Sequence, residues 1–289
     1  MSAALLRCGS HLLDLGTPRV MGIVNVTPDS FSDGGRLGSA AEAIAYAQAL
    51  RSHGADIVDV GGESTRPGAA PVAEDIELAR VLPVVTALVR DGALVSIDTM
   101  KPGVMRAALD TGAAMVNDVQ ALRAPGALAA VAASDAAVCL MHMQGEPRSM
   151  QAAPHYNDVV GEVSGFLAAR AAACEAAGIA RARIAIDPGF GFGKSVAHNL
   201  ALLRGLATIA ALGYPVVAGL SRKRTLGALT GRPAGDRLAA SVAAALAAVA
   251  RGAAIVRVHD VGATVDALRV WGAAFADIEN SLANFPPQD

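Results

Sequence analysis

Aromatic residues are scarce in this chain of 289 residues: they make up 3% of it, with one tryptophan, three tyrosines and six phenylalanines. The hydrophobic 53% is therefore aliphatic and rich in alanine, a composition suited to closely packed helices and buried parallel strands rather than to an aromatic-rich binding surface. Charge of one sign is lacking as well, because 24 Lys and Arg face 26 Asp and Glu for a net charge of −2. That balance removes any electrostatic basis for non-specific binding to nucleic acid or to a membrane surface. Cysteine is limited to Cys8, Cys139 and Cys174, an odd number with no CxxC pair. A disulfide framework is excluded, and a reducing, cytoplasmic setting is expected. Long hydrophobic runs are missing despite a mean hydropathy of +0.41. An uncharged stretch such as Leu238 to Ala250 is mostly alanine and falls short of the ~18 strongly apolar residues of a spanning helix. Arg7 and His11 interrupt the apolar N-terminal segment, so no signal peptide is expected.

What is present is a repeated local pattern: a helix-like stretch, a glycine, one or two small residues, then a short run of Val, Ile or Leu. It occurs at Gly54, Gly92, Gly112, Gly178, Gly213 and Gly252. Glycine just past a helix accepts the left-handed backbone that closes the last turn, and the run that follows is too short for another helix. With Met21 to Val24 and Val138 to Met141 added, the chain has eight candidate strands. Pro83 interrupts the pattern between Glu74 and Arg90, which predicts a kinked helix or two helical pieces. Met143 to Pro154, with its glycine and two prolines, reads as a loop.

Strands alternating with helices imply parallel βα units. Nearly every strand ends in a residue with chemical potential: Asn25, Asp59, Asp98, Asn117, His142, Asp187, Gly219 with Ser221, and Arg257 with His259. A closed barrel gathers such residues at one mouth, and the spacing of about 33 residues per step suits it. The expected fold is a single (β/α)8 barrel over residues 1–289 with long first and second βα loops.

Several segments could carry chemistry. Asn25 opens a loop through Asp33 to Gly35 that exposes Phe31, readable either as a rim residue folded back or as part of a lid over a ligand. The second loop sets Thr65, Arg66 and Pro67 between glycines, and Arg66, Arg257 and His259 on one rim would form an anion clamp. Asp98, Asn117 and Asp187 in one mouth suit a nitrogen heterocycle. The segment Asp187-Pro-Gly-Phe-Gly-Phe-Gly-Lys-Ser195 approaches a phosphate-binding P-loop but has Pro188 where the motif needs glycine, so that reading fails while Phe192 remains exposed on a loop. Basic residues after Ser221 oppose the dipole of the helix they open, which marks Lys223 as an inward-facing cation. Without zinc-ligand spacing, any metal is expected to be Mg2+ held through phosphate oxygens and Asn25.

Taken in order, NVTPDSFSDGG at 25–35, GGESTRPGA at 61–69, SIDT at 96–99, ND at 117–118, MHMQG at 141–145, DPGFGFGK at 187–194, GLSRK at 219–223 and RVHDV at 257–261 resemble the dihydropteroate synthases, the folate-pathway enzymes targeted by sulfonamides. The resemblance runs from Met21 to about Trp271. It implies condensation of 7,8-dihydropterin-6-ylmethyl diphosphate with 4-aminobenzoate to give 7,8-dihydropteroate and diphosphate, in a homodimer. It assigns the pterin to Asp98, Asn117, Asp187 and Lys223, and the diphosphate to Asn25, Thr65, Arg66, Arg257 and His259, with Mg2+ near Asn25. Phe31, Pro67, Phe192 and Ser221 would shape the aminobenzoate pocket, and Asp33, Lys223, Arg257 and His259 would act in catalysis. A methyltetrahydrofolate:corrinoid methyltransferase would share the acidic pterin floor, but the intact second loop, Lys223 and the Arg257/His259 pair argue against it. The same intact loops argue against a silent pterin or phosphate binder.

Overall fold

In the computed structural model, which describes residues 5–27, 39–64 and 68–275, eight parallel strands close into a barrel. Its first strand, β3 (Arg19–Asn25), lies between β10 (Ala253–Val258) and β4 (Ile57–Gly61). The order continues through β5 (Val95–Asp98), β6 (Met115–Asp118), β7 (Ala137–Met141), β8 (Ile184–Asp187) and β9 (Val216–Ala218), which returns to β10. The six glycines of the repeated pattern all have positive φ, between 71° at Gly92 and 105° at Gly112, as the helix-closing role requires. Each releases the chain from an outer helix into the next strand.

Pro83 does not divide its segment: α2 (Glu74–Arg90) is one helix. The missing N–H and the ring of an interior proline cost about 3 kcal/mol. Val81, Val84, Val85 and Leu88 bury the face of α2 that packs on the barrel, which outweighs that cost. Met143 to Pro154 contains turns and no regular element, in line with the loop expected there.

Two short strands precede those expected. β1 (Leu5–Cys8) and β2 (His11–Asp14) form an antiparallel hairpin apart from the barrel sheet. Leu6, Cys8 and Leu13 pack with Met21, Ile57, Met115, Ala137, Ala185, Val217 and Ile255 from the barrel strands. The hairpin thus closes the end of the barrel opposite the mouth. Four-residue strands with one apolar face carry little periodic signal, which is why the sequence pattern passes over them. The three cysteines are buried free thiols. Among the described residues, no helix is long and apolar enough to cross a membrane.

Leu6 is fully buried under the barrel. Leu6→Ala should lower the unfolding free energy by about 2–5 kcal/mol in urea titration, while leaving ligand affinity at the far end unchanged.

Candidate active site

Strand register builds the mouth. Asn25 pairs with Gly61, Gly61 with Asp98, and Asp98 with Asn117, so four neighbouring strands end on one row. Asp59, two residues below Gly61, faces the same interior because side chains alternate along a strand. Above these residues is a cavity of about 930 Å3, lined in part by Asn25, Asp98, Phe192, Ser221, Lys223, Arg257 and His259.

Arg257 ties the floor together. Its Nε donates to Asp59 Oδ2 at 2.6 Å and its Nη2 to Asp98 Oδ2 at 2.6 Å. Asn117 Nδ2 donates to the same Asp59 oxygen at 3.0 Å. A guanidinium is suited to this double duty because its planar fork offers donors in fixed directions. The structure therefore places Arg257 in the polar floor as well as at the wall of the cavity, deeper than an anion clamp on the rim. Asp59, read in sequence only as a strand-end acid, is the shared partner beneath it.

On the adjoining side, after β9, Lys223 donates to the Phe190 carbonyl and lies 4.7 Å from the centre of the Phe192 ring. Burial pushes its ammonium down to about 8, while the Asp187 carboxylate pulls the other way. Asp187 is buried and raised above the usual carboxylate range by desolvation, with Lys223 opposing the rise. Ser221 is not a helix N-cap: the helix α8 (Arg224–Thr230) has Lys223 in that position, with no side-chain cap. Instead, Ser221 Oγ lies 3.0 Å from His259 Nδ1 and accepts from the His259 backbone N–H at 3.2 Å. Between Ser221 and Lys223, Arg222 adopts φ +57°, a left-handed conformation that costs a non-glycine residue about 1–3 kcal/mol. It is held by two bonds to Asp260, at 3.1 and 2.6 Å, and by Ser241 Oγ on its N–H at 3.0 Å. This held turn lets Ser221 and Lys223 both reach the cavity.

The described root of the second loop is fastened from outside. A side chain at Gly62 would lie 2.7 Å from Val81 Cγ1 and 2.9 Å from Glu77 Cγ, and Arg80 Nη1 donates to the Gly62 carbonyl at 2.8 Å. Lys101 then bridges Glu63 and the fully buried Glu77. A glutamate in the buried face of α2 was the sequence signal for this bridge. Phe31, Asp33, Thr65, Arg66 and Pro67 lie outside the described residues.

The model of the family described as "Pterin binding enzyme" matches residues 21–259. The dihydropteroate synthase of Neisseria meningitidis serogroup B is 52% identical over 280 residues, covering 94% of this chain and 98% of that protein. The Escherichia coli K12 dihydropteroate synthase is 49% identical over 269 residues, covering 93% and 95%. This chain belongs to the dihydropteroate synthase family. The solved Xanthomonas albilineans member with 4-aminobenzoic acid is 56% identical, with a TM-score of 0.90 and coverage of 96% of this chain and all of that one. The same organism's enzyme in complex with 7,8-dihydropteroate has a TM-score of 0.86 at 54% identity, covering 94% and 99%. The closed eight-stranded barrel is thus the family's fold, and the polar floor described above occupies its mouth.

The floor has a measurable electrostatic consequence. Burial lifts Asp98 from the ordinary carboxylate value of 3.8 to about 7; Arg257 opposes the rise, and the carboxylates of Asp59, Glu77 and Asp118 add to it. Because the folded value is the higher one, the stabilising contribution is fully present below 3.8 and is lost as pH rises through about 7. The stability of the wild-type chain relative to Asp98→Asn should therefore fall between about pH 4 and pH 7 and level off above. Urea unfolding across that range checks this, and a difference that stays constant would refute the shifted carboxyl.

Proposed function

We propose that this chain condenses 7,8-dihydropterin-6-ylmethyl diphosphate with 4-aminobenzoate, giving 7,8-dihydropteroate and diphosphate. The observation that carries the reading is the convergence of Asp98, Asn117, Asp187, Lys223 and Arg257 at one barrel mouth in a member of this family. A pteridine presents amino and ring N–H donors, which suit carboxylate and amide acceptors, and an oxo group, which suits the Lys223 ammonium. Ser221 and Phe192 border the same cavity and suit the aminobenzoate ring and carboxylate, with Phe31 and Pro67 completing that pocket. Asn25 and His259, together with Thr65, Arg66 and Arg257, would hold the diphosphate.

An aromatic amine is neutral at pH 7, so its nucleophile needs no base. The demanding event is heterolysis of the bond between the pterin methylene carbon and the diphosphate oxygen, whose electron pair leaves with the oxygen. Cationic and N–H groups fixed in advance stabilise that developing charge without reorganising. The electron-rich pterin, held by Asp98 and Asp187 and assisted by Asp33, would stabilise the methylene cation. The amine lone pair then forms the C–N bond and the amine loses one proton.

Among the described residues, no cluster of three or more His, Cys, Asp or Glu could hold a metal ion. Asn25 offers a single amide oxygen at the cavity wall, a donor set that fits Mg2+ arriving on phosphate oxygens rather than one caged by protein. Bound there with the substrate, Mg2+ would neutralise charge on the leaving group.

We further infer a homodimer: Leu229, Leu238, Val270 and Phe275 stand exposed on the last three helices α8, α9 (Leu238–Val249) and α10 (Val261–Phe275), and sedimentation would report the assembly. Free buried thiols support a cytoplasmic setting.

The test is release of diphosphate that depends on added 4-aminobenzoate. Arg257→Ala should slow single-turnover diphosphate release by the equivalent of about 2–4 kcal/mol in the barrier. An unchanged rate would remove Arg257 from leaving-group stabilisation, and release indifferent to 4-aminobenzoate would overturn the reaction.

A further inference from the structure

The glycine-rich segment after β8 has the look of a phosphate loop, yet its backbone is turned the other way. Gly189 N–H donates to Asp187 Oδ1 at 2.7 Å, Gly191 N–H to Asn199 Oδ1 at 2.7 Å, and Phe192 N–H to the Gly189 carbonyl at 3.1 Å. These N–H groups are spent within the protein and leave no cradle for an anion. The carbonyls are held in sequence as well. Phe190 O accepts from Lys223, Gly191 O from Gln151 Nε2, Phe192 O from Lys194 Nζ at 2.9 Å, and Gly193 O from the Tyr156 hydroxyl at 2.9 Å. Four consecutive carbonyls are therefore fixed by four side chains.

Of the three members that the reaction chemistry leaves unused, Gln151, Lys194 and Tyr156, Lys194 is the ionisable amine. It borders the cavity but is only 3% exposed, and its ammonium turns back into the protein. Nζ lies 2.9 Å from His142 Nδ1, 3.3 Å from the His142 carbonyl and 2.9 Å from the Phe192 carbonyl. Burial pushes this ammonium down to about 7, with the Asp187 carboxylate opposing, and in the protonated form its three N–H donors meet three neutral acceptors. His142 is suited to accept because burial, followed by the charge of Lys194, pushes its imidazole down to about 3 and keeps it neutral. The Phe166 ring meets it edge-on at 4.9 Å, fixing its plane. Close backbone approach completes the join: a side chain at Gly189 would collide with the His142 carbonyl oxygen, and one at Gly193 would lie 2.5 Å from that of Gln144.

We propose that Lys194 is a positioning residue, whose ammonium fastens the 189–193 loop to the His142 end of β7 and so sets both the Phe192 ring and the Phe190 carbonyl that directs Lys223. The inference rests on the reading that Lys223 and Phe192 face the substrates, since only then does loop geometry become substrate affinity. Lys194 acts on both substrates through these two residues and touches neither.

Lys194→Met keeps the length of the stem and removes the donors. Hydrogen exchange in the peptide spanning 187–199 should speed up at least about tenfold, and the pterin-diphosphate Kd and the 4-aminobenzoate KM should each rise about tenfold, the scale of a lost hydrogen bond to a charged group. Single-turnover diphosphate release at saturation should stay within about threefold. Unchanged exchange with unchanged constants would overturn the proposal. So would slowed release with unchanged binding, which would make Lys194 a contact of the reacting atoms. Should Lys194→Met not fold, Lys194→Gln, which retains two N–H donors, carries the same test with smaller rises expected. Phe192→Ala separates the two readings: an unchanged 4-aminobenzoate KM there would sink the assignment of Phe192, while the exchange result for Lys194 would still report on the loop.

Discussion

The mouth of this barrel depends on one half-buried guanidinium. Arg257 bonds to Asp59 and Asp98 at 2.6 Å each, and through Asp59 it is joined to Asn117. A buried charge without partners costs far more than a fold of ordinary stability can bear, so the cation and its carboxylates require one another. Their attraction holds Arg257 above the ordinary guanidinium value despite burial. The same arrangement leaves Asp98 strained toward protonation, because two further carboxylates crowd a site already shielded from water. A floor of this kind is a poor resting place for charge, and its carboxylate and amide oxygens suit N–H donors. Function and instability have one source here, as expected where charged groups are gathered for binding.

Around that floor, the rim is held by constraints of different kinds. Arg222 keeps a left-handed backbone because Asp260 and Ser241 hold its side chain and its N–H. The root of the second loop is held by contact, where Gly62 admits α2 at a distance no side chain would allow, and by the Glu63–Lys101–Glu77 bridge. The loop after β8 is held by its carbonyls. Each device places a side chain from a loop with the accuracy of a packed element, which is what chemistry on a small substrate demands. The hairpin at the other end of the barrel supplies apolar burial without touching the mouth, so stability and chemistry are assigned to opposite ends.

Much of the architecture was legible from the chain alone. The six glycines closing helices, the short aliphatic runs and the spacing of polar strand ends pointed to a closed barrel because these signals are local: a helix end needs its glycine wherever it stands. Asp98, Asn117 and Asp187 were placed at the mouth by the same logic, since a strand end in a barrel defines a place in space, and Lys223 was marked by a cation standing where a helix begins. Pro83 left one helix or two pieces open, because the sequence shows the cost of an interior proline but not the apolar packing that keeps the segment one helix. The hairpin was missed because its strands are too short for periodicity to register.

By itself, the sequence determined the βα repeat, the parallel barrel and the roster of polar residues at its mouth, all consequences of backbone preference and residue order. Tertiary structure alone decided the pairing. Asp59 and Arg257 are separated by 198 positions, and Lys194 and His142 by 52, so nothing local links them. The sequence offered Arg257 as a rim cation and Lys194 as the end of a failed phosphate motif. Closure of the sheet put the first between two carboxylates and the second against three lone pairs, because a buried cation must find whatever acceptors the completed barrel places within reach.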